Sequence, residues 1–247
     1  FKSKRHNLIV NYINKNYGHL LVDSTKTDAI SSSCKVFVFW WQGIDKNTPE
    51  LVRACINSVK QNFASNEIVI LTKQNLSNYL TLPNYILEKV ESGEITLTHF
   101  SDIIRVSLLY EYGGIWLDAT IYQTKPIINE VSKYSFYSNK LAEESVKNNS
   151  YISNGEWSGF FMAGTKGDEL FLNLKNIFLE YWKTHHTLIV YLFLDYCIKL
   201  MQIKLPNIKN KIASVPVNNN NIYLLVNSLF KKESEVDLKE ILNSSSI

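Results

Sequence analysis

The sequence predicts an α/β protein of three layers, with helices on both faces of a central sheet. Two short apolar runs typical of buried strands, residues 35–41 and 67–72, alternate with stretches of helical periodicity. The stretch between them opens with Thr48, Pro49 and Glu50, a capping hydroxyl followed by a proline suited to the first helical turn. A strand–helix–strand unit of this kind implies a parallel pair with a right-handed crossover.

The other elements follow from periodicity and from turn residues along the chain. Predicted strands lie at 35–41, 67–72, 115–117, 134–138 and 158–163. Predicted helices lie at 4–17, 50–62, 76–80, 83–91, 99–112, 168–183, 187–200, 220–230 and 236–242. Residues 203–218 are interpreted as a loop. Gly113 and Gly114 are expected to end the helix at 99–112.

Length and composition are those of one sizeable globular domain, at 247 residues and 45% hydrophobic side chains. The net charge of +3 is too small to indicate nucleic-acid binding, and the lysines are scattered between acids. No G-x-G-x-x-G motif follows the first strand, which argues against a conventional dinucleotide oxidoreductase.

Cysteine usage and hydropathy bear on location. The three cysteines form no CxxC pair, which indicates a reducing compartment. We find no signal peptide and no apolar stretch long enough to cross a bilayer, so a cytoplasmic protein is expected. The first helix is basic at its start, with Lys2, Lys4 and Arg5. It either rests on the inner face of the membrane or packs on the domain, and the second alternative is favoured.

The most informative stretch is residues 101–122, SDIIRVSLLYEYGGIWLDATIY. Asp102 and Arg105 are three residues apart on one predicted helix and therefore share a face. A glycine turn then returns the chain through a short strand that ends in Asp118. Ligands of α/β folds bind at the carboxyl ends of strands. We therefore predict one site around these three charged residues.

These residue types suit transfer of a sugar from a nucleotide sugar. The leaving diphosphate gains negative charge as the glycosidic bond breaks, so the site needs a cation or a metal ion. Asp118 can hold Mn²⁺ or Mg²⁺, which prefer oxygen ligands. Arg105 can contact phosphate or sugar hydroxyls with its planar fork, and Asp102 can accept from hydroxyls. Trp41 and Trp116 are candidates for stacking.

Residues 36–126 resemble the glycosyltransferases with a DXD sugar-binding region, most closely the capsular polysaccharide synthesis family. The resemblance rests on FWWQG, TPELVRACINSV, LT-x-x-N, SDIIR and LLYEYGGIWLDAT, and continues more faintly through WSGFFMAG, EYWKTHH and IVYLFLD. It implies a GT-A-like fold, a Rossmann-type nucleotide-binding sheet flanked by helices. The single domain of 1–247 would then comprise an N-terminal helical segment (1–33), a nucleotide-sugar-binding part (34–140) and a helical acceptor-side extension (141–247).

The resemblance also implies roles for individual residues. The donor contacts that it implies are Trp41, Gln42, Asn75, Ser101, Asp102, Arg105, Trp116 and Asp118. Asp118 corresponds to the first acid of the D-x-D motif, but Thr120 stands where the second acid would be. A hydroxyl is a poorer metal ligand than a carboxylate. Either another residue completes a site for Mn²⁺ or Mg²⁺, or metal dependence is weakened.

The activity implied by the resemblance is transfer of a hexose, with a UDP-sugar as the expected donor. The expected acceptor is a glycan or lipid-linked glycan in capsular or other cell-surface polysaccharide synthesis. Retention of anomeric configuration is implied, with Asp195 and Glu156 as further catalytic acids. The alternatives are a sugar-phosphate transferase, a nucleotide-sugar hydrolase, and a catalytically silent sugar-nucleotide-binding or scaffold subunit, which Thr120 favours.

Overall fold

The computed structural model describes residues 2–24, 28–146, 151–228, 231–232 and 237–244. One five-stranded sheet forms the centre, in the order β2-β1-β3-β5-β4. Its strands are β1 (Val36–Phe39), β2 (Ile68–Leu71), β3 (Gly114–Asp118), β4 (Phe136–Ser138) and β5 (Phe161–Gly164). All five strands were predicted from the sequence, and the predicted α/β class is confirmed.

Ten helices are described. They are α1 (Lys2–Tyr17), α2 (Glu50–Asn62), α3 (Asn84–Glu91), α4 (Leu97–Tyr112), α5 (Ile128–Val131), α6 (Glu169–Thr184), α7 (Phe193–Lys204), α8 (Pro206–Ser214), α9 (Leu224–Ser228) and α10 (Leu238–Ser244). The helix predicted at 76–80 is a short 3₁₀ turn at Leu76–Asn78. Residues 229–230 and 236 of the last two predicted helices lie outside the described residues.

The sheet is mixed. Strand β1 pairs in parallel with β2 and β3, as the strand–helix–strand prediction required. Strand β5 pairs antiparallel with both β3 and β4. The register places Phe39 opposite both Leu71 and Asp118. The carboxyl ends of the three parallel strands therefore meet at one edge, where ligands of such sheets bind.

Helix α4 carries Asp102 and Arg105 to this edge. Both ends of the helix are fixed by residues next to them in the sequence. The Thr96 hydroxyl accepts from the backbone N–H of His99 and caps the start of the helix. Gly113 and Gly114 end it with positive φ angles of 67° and 105°. A Cβ atom at Gly114 would collide with the carbonyl of Lys35, the residue just before β1, so only glycine fits there.

Two segments differ from the prediction. The helix predicted at 187–200 begins only at Phe193, and residues 185–192 form a loop. The loop predicted at 203–218 contains α8, which opens with Pro206 at a position that suits a first helical turn. On α8, the buried ammonium of Lys211 donates to Asp168 (2.6 Å) and Glu169 (2.8 Å) at the start of α6. The buried ion cluster joins residues that lie far apart in the sequence, so hydrophobic periodicity could not have predicted it.

Helix α1 packs against α7, as the favoured alternative predicted. Ile13 and Val10 are buried beneath it, and His6 forms a hydrogen bond with the Tyr196 hydroxyl (2.7 Å). Leu8, on the same helix, is 70% exposed. Within the described part of the chain, no helix has both the length and the apolar character needed to cross a membrane.

Candidate active site

A polar cavity of about 190 Å³ opens at the carboxyl end of β3. It lies between α4, the end of β3, the segment before β5 and the start of α7. Its lining residues are Thr98, Ser101, Asp102, Arg105, Asp118, Gly159, Phe160, Tyr191, Leu192, Leu194 and Asp195. Three carboxylates and one guanidinium therefore face a single space, and four of the residues predicted from the sequence as catalytic are among them.

Arg105 is the centre of this arrangement. Its Nη1 donates to Oδ1 of Asp102 (2.6 Å) and its Nη2 donates to Oδ1 of Asp118 (2.8 Å). The residue is only 3% exposed. Burial opposes the charged guanidinium, but the carboxylates of Asp118 and Asp102 outweigh burial and raise the pKa of Arg105. The side chain is thus a fixed cation that links α4 to the end of β3.

Asp118 is held from two sides and remains accessible. Its Oδ1 accepts from Arg105 and also from the indole N–H of Trp116 (2.7 Å). Its backbone N–H donates to the carbonyl of Phe160 (2.9 Å), which continues the pairing of β3 towards β5. The side chain is 36% exposed, and among the described residues no donor contacts Oδ2. One carboxylate oxygen is therefore free to bind a ligand.

The structure corrects the role expected of Trp116. Its side chain is 1% exposed and lies in the core, so neither face is available to stack on a base. The Arg105 guanidinium lies 5.1 Å from the centre of its ring, a cation–π distance. Trp116 therefore positions Asp118 and Arg105 and does not offer a stacking surface.

Asp102 is positioned by Arg105 and by a buried histidine. His99 is 2% exposed and packs among the rings of Phe178, Trp182 and Phe193. Its Nδ1 lies 3.4 Å from Oδ2 of Asp102, and its Nε2 has no hydrogen-bond partner among the described residues. The histidine touches the site only through Asp102.

Asp195, in the first turn of α7, faces the same cavity. The indole N–H of Trp157 donates to its Oδ1 (2.8 Å). The pKa of Asp195 is raised to about 6, because burial and the nearby Asp102 raise it by more than the Trp157 hydrogen bond and Arg105 lower it. A carboxyl group that titrates near neutrality in a cleft is typical of acid–base chemistry.

Three predicted donor contacts lie outside this cavity. Trp41 is partly buried and lines a separate, largely apolar pocket of about 170 Å³ with Lys73, whose ammonium lies 5.8 Å from the indole ring. Gln42 is exposed in the turn after β1. Asn75 uses its amide within the turn after β2, accepting from Thr72 N–H (2.8 Å) and donating to the Ile70 carbonyl (2.9 Å).

Ser101, by contrast, lines the cavity. Its hydroxyl donates to the Thr98 carbonyl one turn earlier in α4 (2.7 Å).

Two predicted site residues have no place at the cavity. Glu156 accepts from the amide of Gln202 (2.7 Å) on α7 and does not line the cavity, which argues against the catalytic role expected of it. Thr120 is exposed in the turn after β3 and is also absent from the lining. Throughout the part of the chain that the structure describes, no three His, Cys, Asp or Glu side chains are grouped closely enough to hold a metal ion.

Asp118 nevertheless fits the way in which Mg²⁺ is commonly bound. That ion is often held by one or two carboxylates together with substrate phosphates and water. The free Oδ2 of Asp118 supplies one such ligand. The protein residues alone therefore do not form a metal cage, and a diphosphate would have to complete the coordination.

The sequence pattern missed several residues that shape the cavity. Gly159 leaves room for the Arg105 guanidinium, because a Cβ atom there would lie 3.4 Å from Nη1. Trp157 holds Asp195, and Tyr191 and Leu192 form the rim. They lie in irregular segments, which periodicity does not resolve. The fainter family motifs WSGFFMAG and IVYLFLD contain all four and were the available signal.

Fold and cavity together define an α/β protein with an acidic cavity at the carboxyl end of β3. The family profile described as capsular polysaccharide synthesis protein matches residues 1–247. The chain belongs to that family.

Two further proteins are similar to the chain. The O-glycosyltransferase braB of Annulohypoxylon truncatum is 29% identical over 98 residues, which cover 36% of this chain and 23% of that protein. This chain therefore matches less than a quarter of that relative's length. The solved structure of PaToxG glycosyltransferase is 16% identical, with a TM-score of 0.46, covering 98% of this chain and 92% of the other.

Proposed function

We propose that this protein is a glycosyltransferase that moves a hexose from a nucleotide sugar, a UDP-sugar by preference, to a glycan acceptor in capsular or other cell-surface polysaccharide synthesis. The observation that carries the proposal is the buried Arg105, held between Asp102 and Asp118 at the wall of one cavity. Membership of the capsular polysaccharide synthesis family supports the same conclusion.

The donor diphosphate is assigned to the Asp118 side of the cavity. Arg105 stays charged and is held by hydrogen bonds to two carboxylates, so it is preorganised for the charge that develops on the leaving phosphate. The free Oδ2 of Asp118 would hold Mn²⁺ or Mg²⁺ together with the phosphates. When bound, the metal ion would supply further positive charge to the leaving diphosphate. The base is assigned to the separate, largely apolar pocket that Trp41 lines together with Lys73.

The transferred sugar is assigned to the space between Asp102 and Asp195. Asp102 is 14% exposed at its side chain, so it can accept a hydrogen bond from a sugar hydroxyl while Arg105 holds it. Ser101 lies beside it on the same lining. These contacts orient the anomeric carbon towards the acceptor, which is the contribution that binding geometry makes to transfer.

Asp195 is assigned the acceptor side. In the reaction, the acceptor oxygen bonds to the anomeric carbon, the bond from that carbon to the phosphate oxygen breaks, and the acceptor hydroxyl loses its proton. A carboxylate with a pKa of about 6 is matched to taking that proton near neutral pH. We propose that transfer retains configuration, because the acceptor oxygen attacks the same face of the sugar that the phosphate leaves and Asp195, in the same cavity, takes the acceptor proton on that face.

A catalytically silent nucleotide-sugar-binding subunit is the second candidate. It is favoured by the exposed position of Thr120, outside the cavity, where a second metal-binding acid would be expected. Such a subunit would bind the donor and release no nucleotide. A transferase would release nucleotide faster when acceptor is present.

The test is nucleotide release from UDP-, GDP- and TDP-sugars with Mn²⁺, Mg²⁺ or EDTA. Asp118→Asn removes the proposed metal ligand, and Asp23→Asn, an exposed carboxylate outside the cavity, is the matched control. We expect release from one donor class that is lost in Asp118→Asn and kept in Asp23→Asn. Donor binding without release in the wild type, with acceptors supplied, would favour the silent subunit.

A further inference from the structure

The loop between α6 and α7, residues 185–192, forms one side of the polar cavity. Tyr191 and Leu192 line the cavity, and Asp195 follows in the first turn of α7. Within the described part of the chain, residues 186–191 form no backbone–backbone hydrogen bond. Since no strand or helix ladder holds this loop, its position at the cavity depends on side chains that bind its backbone.

The hydroxyl of Tyr181 supplies two hydrogen bonds to the backbone of this loop. It donates to the carbonyl of Thr187 over 2.6 Å and accepts from the backbone N–H of Ile189 over 2.9 Å. Burial raises the pKa of Tyr181, so the hydroxyl keeps its proton at neutral pH and can donate. Among the described residues, no other side chain forms a hydrogen bond with the backbone of residues 186–191.

The ring of Tyr181 contacts both ends of the same loop. Its centre lies 4.0 Å from the centre of the His185 ring, in a stacked arrangement, and 4.7 Å from that of Phe193, the first residue of α7. Tyr181 itself lies on α6 and is 1% exposed, so its own position is fixed by the core. One buried side chain therefore contacts the loop at its start, in its middle and at its end.

We propose that Tyr181 is a positioning residue, whose hydroxyl holds residues 185–192 against the cavity and sets the entry into α7, the helix that carries Asp195. The consequence for transfer rests on the proposed function. There the acceptor is assigned to the Asp195 side of the cavity and the donor diphosphate to the Asp118 side. Loss of the hydroxyl should therefore slow transfer without weakening nucleotide binding, because the groups on the acceptor side lose their fixed geometry.

Tyr181→Phe tests this role, since it removes the hydroxyl and keeps the ring. The matched control is Tyr85→Phe, because the Tyr85 hydroxyl donates to the carbonyl of Leu179 on the same helix α6, over 2.9 Å, and not to the loop. Hydrogen–deuterium exchange of the full chain measures how firmly residues 186–192 are held. Nucleotide release gives kcat, calorimetric titration with UDP gives the Kd, and circular dichroism checks that each variant is folded.

We expect exchange in the peptide that contains Ile189 to become about tenfold faster in Tyr181→Phe, because two hydrogen bonds to the loop are lost. The kcat should fall about tenfold, while the Kd for UDP stays within about twofold. Tyr85→Phe should leave all three quantities within about twofold of the wild type. Unchanged exchange in Tyr181→Phe, equal changes in Tyr85→Phe, or faster exchange with an unchanged kcat would overturn the proposal.

The same measurements separate this inference from the proposed function. A wild type that binds no UDP and releases no nucleotide would count against the transferase. The exchange rates would still decide whether the Tyr181 hydroxyl holds the loop, because they need neither donor nor acceptor.

Discussion

Arg105 donates from Nη2 to Oδ1 of Asp118 over 2.8 Å, an ion pair that joins the middle of α4 to the last residue of β3. The same guanidinium holds Asp102 through Nη1. The pair therefore connects two elements whose meeting creates the cavity. Its geometry depends on a planar fork with donors on two sides, which only arginine supplies.

Arg105→Lys tests that geometry. A lysine keeps the charge but is a single flexible point that cannot span both carboxylates in the same way. We expect nucleotide release to fall about a hundredfold, because a preorganised cation at the leaving group is lost. The free energy of unfolding should fall by about 2 kcal/mol, since a buried pair is weakened. Arg53→Lys, outside the cavity, is the control. Wild-type activity in Arg105→Lys would exclude a role for the two-sided geometry of the guanidinium.

Asp195 should make stability depend on pH. Its pKa is raised to about 6 by burial, against about 3.9 for an unperturbed aspartate. Between these values the native state keeps a proton that the unfolded state has lost, so stability is present at low pH and falls as pH rises through about 6. Relative to Asp195→Asn, the wild type should lose up to about 3 kcal/mol between about pH 4 and about pH 7. Urea unfolding across this range measures it, and a constant difference would contradict the raised pKa.

Trp157→Phe should shift the pKa of Asp195. The indole N–H stabilises the charged form of Asp195, so its removal should raise the pKa of Asp195 further. We expect the acidic limb of the pH–activity profile to shift upward by about one unit. The matched control is Trp182→Phe, which removes a buried indole whose N–H has no hydrogen-bond partner among the described residues. Identical shifts in both variants would show that loss of volume alone is responsible.

Gly159→Ala should narrow the cavity at Arg105. An added Cβ would lie 3.1 Å from Leu194 and 3.4 Å from Nη1 of Arg105, and the guanidinium cannot easily yield because two carboxylates hold it. Small displacements of positioned groups are costly to catalysis, so kcat/KM should fall about tenfold or more. Thermal unfolding should change little by comparison. Unaltered kcat/KM would mean that this space is not used.

Lys211→Met should destabilise the fold without touching the cavity. Lys211 is 7% exposed and compensates the buried carboxylates of Asp168 and Glu169. Without it, two buried acids remain unpaired, which costs about 3–5 kcal/mol at neutral pH. The loss of stability should be smaller at lower pH. Burial raises the pKa of Asp168, so this carboxylate becomes protonated and neutral as pH falls and then needs no cationic partner. Urea unfolding at two pH values distinguishes this from simple loss of packing.

The sequence by itself determined the local elements and the main charged residues of the site. Apolar runs and turn residues act over a few residues, so the five strands, the bounds of α2 and the end of α4 at Gly113 were predictable. The same holds for the charged residues of the site. Asp102 and Arg105 lie three residues apart on one helix, and Asp118 follows at the end of the next strand, so their placement could be predicted from the sequence. Parallel pairing of β1 with its neighbours followed from the strand–helix–strand order. The cap predicted for α2 was wrong, because the Thr48 hydroxyl accepts from the backbone N–H of Asp45 and α2 has no side-chain cap.

Only the tertiary structure decided what depends on contacts between distant segments. The burial of Trp116, the hydrogen bond from Trp157 to Asp195 and the exclusion of Glu156 from the cavity are fixed by packing. Residues 188–192 were predicted as helical but form a loop, from which Tyr191 and Leu192 line the cavity. Periodicity reports which residues share one face of one element, whereas a site requires faces of several elements to converge. That convergence is set by the packing of the whole core.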